Sequence, residues 1–435
     1  MDKILVTGGA VLKGKVRIVG AKNAALPLLT ASLLTDQKIT FTNVPHLSDI
    51  TSMVNLLAQH GVEITMEGEN EGDGHKGRVL SMQTHKITSS VAPYELVRKM
   101  RASILALGPL VARHGDACIS LPGGCAIGAR PVDLHIKGLE ALGADVTIED
   151  GYVHAKAPNG LTGGTYEFPK VTVTGTENIL MAATLAKGTT VLKNVAMEPE
   201  ITDLAHCLIS MGAKITGLET DTLTIEGVEK LSGTTHHILP DRIETGTYAV
   251  AAAITGGEIN ILGTSRSLLT AFIETLESTG TIVTDIPDGI RVKGPKTLKA
   301  VKFETAPYPG YPTDLQAQMM ALATTAQGKS TIEENIFENR FMHVPELQRM
   351  GAHIDIDGHT VTVEGTDNLK GAPVMATDLR ASVSLILAGL VAEGQTEVSR
   401  VYHLDRGYER LVEKLQACGA TIDRFTGEPS LRVAP

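Results

Sequence analysis

The chain has 435 residues, more than one hydrophobic core usually serves, so two or more domains are expected. Its formal net charge of −10, with 3% aromatic residues and no Trp, argues against general nucleic-acid binding. Hydrophobic residues make up 43% of the chain, yet no apolar run reaches the roughly 20 residues that a membrane-spanning helix needs.

The N-terminal apolar run is too short for a secretory signal, because Thr7, Gly8 and Gly9 interrupt it. The chain has four cysteines, which show neither a CxxC motif nor the spacing of a disulfide framework. They are Cys118, Cys125, Cys207 and Cys418. We therefore expect a reducing, cytoplasmic location.

A glycine-rich segment at 121–135, LPGGCAIGARPVDLH, has a cysteine in its middle. Glycine lets the backbone approach a ligand closely, and an exposed thiol in such a loop is reactive. Pro131 fits the first position of a following helix, and Asp133 fits its first turn. On residue types alone a second interpretation stays open, in which the segment is a tight turn and Cys125 is a small hydrophobic residue.

A helix-like segment that ends in glycine recurs six times, at intervals of roughly 70 residues, which indicates one structural unit copied along the chain. The glycines are Gly61, Gly143, Gly212, Gly280, Gly351 and Gly419. The copies are longer than solenoid repeats, so each one resembles a small domain.

The third copy predicts the order β-α-β-α-β-β. KVTVTG is β-branched and alternating, which favours a strand, and ENILMAATLAKG is apolar on nearly every side, which favours a buried helix with Gly188 as its C-cap. After the strand TTVLKNV, the segment that begins near Pro199 has a 3.6-residue apolar period, and two short strands follow. Six such units predict an α/β fold with two lobes of three units, the buried helices inside and the sheets around them.

The crossing between the lobes is predicted near Pro240, after the polar run SGTTHH. We interpret His236 and His237 in this run as linker residues rather than metal ligands, because adjacent side chains do not face one another.

Six motifs in order resemble those of the enolpyruvyl transferases, in particular the family that acts on UDP-N-acetylglucosamine. The resemblance extends from the first strand to LQACGATI, nearly the whole chain. The motifs are KNAALP from Lys22, the Cys125 loop, YPTDLQAQ from Tyr311, FENRFMHVPEL from Phe337, MATDLRAS from Met375 and HLDRGYE from His403.

The resemblance implies a two-lobed, inside-out α/β barrel. One lobe comprises residues 22–235 and carries the Cys125 lid loop, and the other comprises residues 1–21 plus 236–435. The implied reaction moves the enolpyruvyl group of phosphoenolpyruvate to the sugar 3-hydroxyl and releases phosphate. This is the first committed step of peptidoglycan precursor synthesis, on which cell shape and division depend, and it needs neither a metal nor an organic cofactor.

The resemblance also assigns cations to the anionic substrates, for which the arginine fork is well suited. The residues that contact phosphoenolpyruvate by this resemblance are Lys22, Asn23, Arg130 and Arg406. Arg101 is a sugar-nucleotide or phosphate contact, whereas Arg98 and Arg113 stay surface charges. From the residues alone, Lys22 could equally be an ordinary solvated lysine.

Two residues carry the proton transfers that the resemblance implies. Cys125 donates a proton to the methylene carbon, forms a covalent substrate adduct and is alkylated by fosfomycin. Asp314 is the general base for the sugar hydroxyl, although a helix N-cap is the alternative role for this residue. Asp378 and Arg380 are expected to form an ion pair beside the site, with Asp378 as a possible proton relay.

Further positions are assigned to the nucleotide sugar by the same resemblance: Arg130, Pro131, Val132, Asp133, Leu134, Lys170, Val173, Asp314, Ile336, Arg340 and Arg380. The chain departs from many relatives at Thr172 and Thr174, and at Leu105, where some have an aromatic residue. Two other functions stay open: the sister activity on shikimate 3-phosphate, and a binding protein that keeps the scaffold without catalysis.

Overall fold

The computed structural model of the chain describes residues 2–68, 77–98, 100–121 and 131–427. In this part of the chain the strands form six four-stranded sheets. The residues fall into two compact units, one within 19–240 and the other made of 2–18 together with 241–427. Each unit has its own hydrophobic core. The domain limits predicted from the sequence, 22 and 235, stay predictions.

The unit within 19–240 contains three of the sheets. The first has the strand order Thr235–His237, Ile39–Val44, Arg78–Gln83, Glu63–Glu67. The second has the order Val91–Ala92, Asp116–Ser120, Tyr152–Lys156, Asp145–Glu149. The third has the order Thr165–Glu167, Thr189–Lys193, Thr222–Glu226, Lys214–Thr216. In each, the first two strands are parallel and the remaining pairs antiparallel.

The helices of this unit divide into buried and amphipathic ones. Those described are Lys22–Thr30, Ser48–Gln59, Tyr94–Val97, Leu107–His114, Asp133–Ala141, Val173–Ala183 and Pro199–Ser210, with 3-10 turns at Ala31–Leu34 and Arg101–Ala106. The helices at 22–30, 107–114 and 173–183 are buried along most of their length. A Cβ at Gly108 would lie 2.3 Å from Asn178 Oδ1, so glycine permits the close approach of two of them.

The unit made of 2–18 and 241–427 repeats this arrangement. Its first sheet has the strand order Lys13–Arg17, Glu258–Leu262, Gly289–Lys293, Ile282–Ile286. The second has the order Lys302–Glu304, Lys329–Glu333, Thr360–Glu364, His353–Asp357. The third has the order Pro373–Met375, Gln395–Ser399, Asp2–Thr7, Thr421–Thr426. Two of these sheets therefore need N-terminal strands that are far from their partners in sequence.

Three helices of this unit, Arg242–Ile254, Gln316–Ala323 and Leu379–Gly389, are buried at every residue and pack against one another. The others described are Thr270–Ser278, Val344–Arg349 and Leu411–Ala417, with 3-10 turns at Arg266–Leu269, Thr313–Leu315 and Val401–Arg406. Helices that are buried on every side must be covered by other elements, and the sheets of the unit provide that cover.

The predicted order β-α-β-α-β-β is confirmed for the third copy, but one of its strands was wrongly placed. Residues 170–175, KVTVTG, do not form a strand: Thr172 caps the Val173–Ala183 helix by accepting a hydrogen bond from the Gly175 amide. The first strand of the copy is Thr165–Glu167 instead. β-branched residues favour strands, and here the threonine hydroxyl favours the helix start.

The linker predicted at His236 and His237 is also wrong, since both residues belong to the strand Thr235–His237, and His236 Nε2 lies 2.9 Å from Asp203 Oδ1. In the described residues no helix has the length and apolar character needed to cross a membrane.

Candidate active site

Asp314 lies between two buried arginines in the unit made of 2–18 and 241–427. Arg340 Nη2 donates to Asp314 Oδ1 at 2.8 Å, and Arg380 Nη2 donates to Asp314 Oδ2 at 3.0 Å. The two arginine side chains are each 5% exposed, whereas that of Asp314 is 27% exposed. The carboxylate is thus fixed from the protein side and still partly accessible.

The predicted alternative of Asp314 as a helix N-cap is wrong. It lies in the 3-10 turn Thr313–Leu315, and neither this turn nor the following Gln316–Ala323 helix has a side-chain capping hydrogen bond. Both carboxylate oxygens engage arginines, so the local sequence Pro-Thr-Asp does not determine the role of this aspartate.

Tyr408 holds the second guanidinium of this cluster. Its hydroxyl accepts from Arg380 Nη1 at 3.3 Å and lies 3.0 Å from Thr247 Oγ1. Gln318 Nε2 lies 3.2 Å from the same hydroxyl and donates to the Asp314 carbonyl at 2.9 Å. Burial opposes the charge of Arg380, yet the neighbouring Asp314 and Tyr408 raise its pKa above the usual range. Arg380 therefore stays charged at any working pH.

Asp378 begins the helix that carries Arg380. Its Oδ1 accepts from the backbone amides of Arg380 and Ala381, at 2.8 and 3.1 Å, so Asp378 is the N-cap. The prediction of an ion pair between Asp378 and Arg380 is wrong, because the guanidinium of Arg380 pairs with Asp314 instead. A cap fixes the start of the helix and thereby the direction in which Arg380 leaves it.

Two further predicted residues belong to the same unit. Ile336 is half-buried and follows the Lys329–Glu333 strand, and Arg406 ends the 3-10 turn Val401–Arg406, two residues before Tyr408. Burial is the main cause that lowers the pKa of the nearby His343 to about 4, so this imidazole is neutral at pH 7.

In the unit within 19–240, Lys22 is the first residue of the Lys22–Thr30 helix, followed by the half-buried Asn23. Lys22 Nζ lies 3.5 Å from Asp49 Oδ2, and their side chains are 13% and 5% exposed. An ordinary solvated lysine would be far more exposed, so that interpretation is wrong. Arg101, also predicted, is the first residue of the Arg101–Ala106 turn.

Arg98 and Arg113 were both predicted to be surface charges outside the site, and the structure bears this out only for Arg98. Arg98 pairs with Glu95 at the surface, with its side chain 50% exposed. Arg113 is half-buried and donates to the carbonyl oxygens of Leu33, Thr35 and Thr84. Arg113 is therefore a structural residue rather than the surface charge expected.

The predicted nucleotide contacts at 131–134 lead into the Asp133–Ala141 helix. This helix begins at Asp133 with Val132 as N-cap, so Pro131 lies before the cap and the prediction of Pro131 as first helical residue is wrong. Lys170 is exposed in a bend, and Val173 begins the Val173–Ala183 helix.

His135 joins these two helices, a contact that the sequence analysis missed. Asn178 Nδ2 donates to His135 Nδ1 at 2.9 Å, which leaves the proton on Nε2, 3.3 Å from Thr174 Oγ1. Asn178 is itself fixed, because Gly108 N donates to its Oδ1 at 2.7 Å and its amide donates to the Ile104 carbonyl. Burial, and then the charge of Arg101, lower the pKa of His135 to about 3.

Cys125 and Arg130 lie outside the described residues, so their predicted roles rest on sequence alone. In the part of the chain that is described, no group of three or more His, Cys, Asp or Glu side chains is arranged to hold a metal ion.

Two residues of the Asp314 cluster, Tyr408 and Gln318, were not predicted from the sequence. HLDRGYE had drawn attention to Arg406, and the tyrosine two residues later could have been considered with it.

Comparison with known proteins identifies related chains along the whole length. A family model described as EPSP synthase (3-phosphoshikimate 1-carboxyvinyltransferase) matches residues 6–415. The curated UDP-N-acetylglucosamine 1-carboxyvinyltransferase of Dinoroseobacter shibae is 60% identical over 425 residues, 98% of this chain and 99% of the relative. A protein of the same name from Agrobacterium fabrum is 57% identical over 429 residues, 98% of this chain and all of the relative.

Solved structures with this fold include the enolpyruvyl transferase NikO from Streptomyces tendae, with a TM-score of 0.86 and 25% identity over 98% of this chain and 99% of that chain. EPSP synthase from Acinetobacter baumannii has a TM-score of 0.76 and 20% identity over 98% of this chain and 100% of that chain, which shows a common fold. The predicted α/β fold class is thereby confirmed.

The neutral, buried His135 predicts a stability that falls in acid. Its folded-state pKa of about 3 lies below the usual 6.5, so only the unfolded chain takes up this proton as pH falls below 6.5. From pH 7 to 5.5, His135 should lower the free energy of unfolding by about 1 kcal/mol. In urea unfolding, the free energy of unfolding of His135→Asn should fall less from pH 7 to 5.5 than that of wild type, by about 1 kcal/mol. A His353→Asn control at an exposed site should behave like wild type. An unchanged pH dependence in His135→Asn would contradict this account.

Proposed function

The chain belongs to the enolpyruvyl transferase family, and from this we propose that it transfers the enolpyruvyl group of phosphoenolpyruvate to the 3-hydroxyl of UDP-N-acetylglucosamine, with release of phosphate. The observation that carries the proposal is the near-full-length similarity to relatives with that named activity. The partly exposed Asp314 carboxylate, fixed by two arginines, suits the proton removal that this reaction needs.

The reaction is an addition followed by an elimination. In the addition, the sugar oxygen bonds to the central carbon of phosphoenolpyruvate while the methylene carbon gains a proton and becomes a methyl group. In the elimination, this methyl group loses a proton as phosphate leaves the central carbon. Asp314 accepts the proton of the sugar hydroxyl, because a general base must lie within hydrogen-bond reach of the proton it removes. Its two arginine contacts leave further lone pairs on each carboxylate oxygen for this task.

Cys125 supplies the proton to the methylene carbon. A thiol with a reference pKa of about 8.5 is mostly protonated at neutral pH and can act as this acid. The same sulfur can bond to the central carbon of phosphoenolpyruvate as a covalent adduct, or open the epoxide of fosfomycin. These roles rest on the family resemblance of the Cys125 loop.

Fixed cations bind the phosphate and carboxylate groups of the substrates. Lys22, Asn23, Arg130 and Arg406 bind phosphoenolpyruvate, and Arg101 binds the nucleotide sugar or a phosphate. The low exposure of Lys22 beside Asp49 supports a fixed ammonium group rather than a mobile surface charge.

The nucleotide sugar contacts residues from several segments of the chain: Arg130, Pro131, Val132, Asp133, Leu134, Lys170, Val173, Asp314, Ile336, Arg340 and Arg380. The Asp133–Ala141 helix supports this assignment, since the free amides at a helix start favour anions. Asp378 can act as a proton relay through Oδ2, the carboxylate oxygen that does not cap the helix.

We place the reaction at the first committed step of peptidoglycan precursor synthesis, in the cytoplasm. Cys118, Cys207 and Cys418 are free thiols, as is usual in reducing compartments. The sister activity on shikimate 3-phosphate is not favoured, because the relatives that are 57–60% identical carry the UDP-N-acetylglucosamine name.

The substrate assignment predicts a clear preference between two acceptors. Purified chain with phosphoenolpyruvate and UDP-N-acetylglucosamine should release phosphate and form the enolpyruvyl ether, measured by phosphate assay and mass spectrometry. Shikimate 3-phosphate in place of the nucleotide sugar should give neither product. The reverse preference would overturn the proposed function.

The role of Cys125 predicts different outcomes for two substitutions. Cys125→Ser should lose most activity, because a serine hydroxyl is too weak an acid, whereas Cys125→Asp should keep much of it and resist fosfomycin. Turnover and inhibition are measured in parallel, with Cys118→Ser as the control that keeps both. If Cys125→Asp is as inactive as Cys125→Ser, the general-acid role is wrong.

The role of Asp314 predicts a loss of turnover that is larger than the loss of nucleotide-sugar binding. Asp314→Asn keeps the shape of the side chain but removes the base, so kcat should fall by roughly 100-fold or more. Asp203→Asn, which removes a carboxylate that contacts His236 outside this cluster, should leave kcat unchanged. Calorimetric titration with the nucleotide sugar separates binding from turnover, and near-normal turnover of Asp314→Asn would leave that residue a structural role only.

A further inference from the structure

Glu334 is a buried carboxylate next to the Asp314 segment. The residue is 3% exposed. Its Oε1 accepts from Thr305 Oγ1 at 3.0 Å and from the backbone amides of Ile336 and Phe337 at 2.9 and 3.1 Å. Its Oε2 accepts from Thr313 Oγ1 at 2.8 Å. In the described structure all four donors are uncharged, and Glu334 has no ion pair with a lysine or arginine.

Burial of a charged group is costly unless hydrogen bonds compensate for the lost water, and Glu334 has four. These bonds come from three separate segments: the end of the Lys302–Glu304 strand, the residue before Asp314, and the residues that follow the Lys329–Glu333 strand. Backbone contacts join these segments at one point each, since Thr305 N donates to the Glu333 carbonyl at 2.8 Å and Ala306 N donates to the Tyr311 carbonyl at 3.0 Å. The carboxylate adds side-chain bonds that fix the residues beyond these contacts, Thr313, Ile336 and Phe337.

Two routes lead from Glu334 to Asp314. Thr313, which bonds to Oε2, is the neighbour of Asp314 in the 3-10 turn Thr313–Leu315. Phe337, whose amide bonds to Oε1, lies with its ring centroid 5.3 Å from the guanidinium carbon of Arg340, and Arg340 pairs with Asp314. Loss of the Glu334 carboxylate would therefore loosen two segments that position Asp314: its own turn and the segment that carries Arg340.

We propose that Glu334 is a positioning residue, which holds Asp314 and Ile336 in the geometry that the nucleotide sugar needs. The inference rests on the proposed function, since it assumes that Asp314 receives the sugar proton and that Ile336 contacts the nucleotide sugar. Glu334 itself touches neither substrate. A displacement of about 1 Å in a reacting group can cost about 100-fold in rate, so this arrangement needs to be rigid.

Two substitutions of Glu334 should show whether its hydrogen bonds or its negative charge matter for turnover. Glu334→Ala removes all four hydrogen bonds, so kcat should fall by about 100-fold and binding of the nucleotide sugar should weaken. Glu334→Gln can keep all four contacts: its oxygen accepts the three bonds made to Oε1, and its amide donates to Thr313 Oγ1 once that hydroxyl turns round. We therefore expect Glu334→Gln to restore most of the activity that Glu334→Ala loses.

A matched pair at Thr313 tests the same contact without a change at Glu334. Thr313→Val keeps the shape but removes the hydroxyl, and Thr313→Ser keeps the hydroxyl. The valine variant should lose about tenfold or more in kcat, because the buried Oε2 of Glu334 is left without its donor and the turn that carries Asp314 is no longer fixed. The serine variant should stay close to wild type. This pair decides the question if Glu334→Ala does not fold.

Ser330→Ala is the control for general stability. Ser330 lies on the Lys329–Glu333 strand, which ends one residue before Glu334. It is fully buried and accepts from the Val301 amide at 3.0 Å. Its loss should lower the urea midpoint but leave kcat and both KM values unchanged.

The readouts are kcat, the KM for each substrate, calorimetric binding of UDP-N-acetylglucosamine, and the folded fraction by circular dichroism. The proposal predicts changes in kcat and in nucleotide-sugar binding, with the KM for phosphoenolpyruvate little affected. Folded Glu334→Ala with wild-type kinetics would overturn it, as would Glu334→Gln as impaired as Glu334→Ala, or Thr313→Val as active as Thr313→Ser. Wild-type turnover in the same assay is the separate test of the proposed function: its absence would refute that function, whatever the variants do.

Discussion

The site in the unit made of 2–18 and 241–427 depends on the compensation of buried charge. Arg340 and Arg380 are almost completely withdrawn from water, which is costly unless each guanidinium has an anionic partner. Asp314 is the partner of both. Because the two ion pairs approach different carboxylate oxygens, the aspartate cannot rotate without the loss of one of them, and its orientation is determined by the protein before any substrate binds.

The surrounding residues make sense as the supports of this cluster. Asp378 fixes the start of the helix that carries Arg380. Tyr408 accepts a hydrogen bond from the Arg380 guanidinium, and Gln318 donates one to the Asp314 carbonyl. Glu334 fixes the residue before Asp314 through its bond with Thr313. The buried helices Arg242–Ile254, Gln316–Ala323 and Leu379–Gly389 contribute residues to the network, so the site and the core of the unit are built from the same elements. A polar network inside such a core is stable only when its members are hydrogen-bonded.

Sequence periodicity predicted much of the fold, because the repeat of apolar residues directly reflects which helices are buried. It failed where one side chain decides between two local structures: the hydroxyl of Thr172 starts a helix in a segment whose β-branched residues favour a strand. The motifs brought Asp314, Arg340 and Arg380 to notice but paired Arg380 with the wrong aspartate, since Asp378 is near in sequence and Asp314 is near in space. His135 was missed because its partner Asn178 comes from a distant segment. Glu334 was missed because the bonds from Thr305 and Thr313 join it to other segments, and nothing in the local sequence marks such contacts.

The central claim is that Asp314, held by two arginines, is the group that meets the sugar hydroxyl. A crystal structure of the chain with UDP-N-acetylglucosamine bound tests it most directly. The account predicts the 3-hydroxyl oxygen within about 2.6–3.2 Å of an Asp314 carboxylate oxygen, with the contacts to Arg340 and Arg380 retained. A 3-hydroxyl beyond hydrogen-bond reach of Asp314, with another side chain as its nearest acceptor, would contradict it.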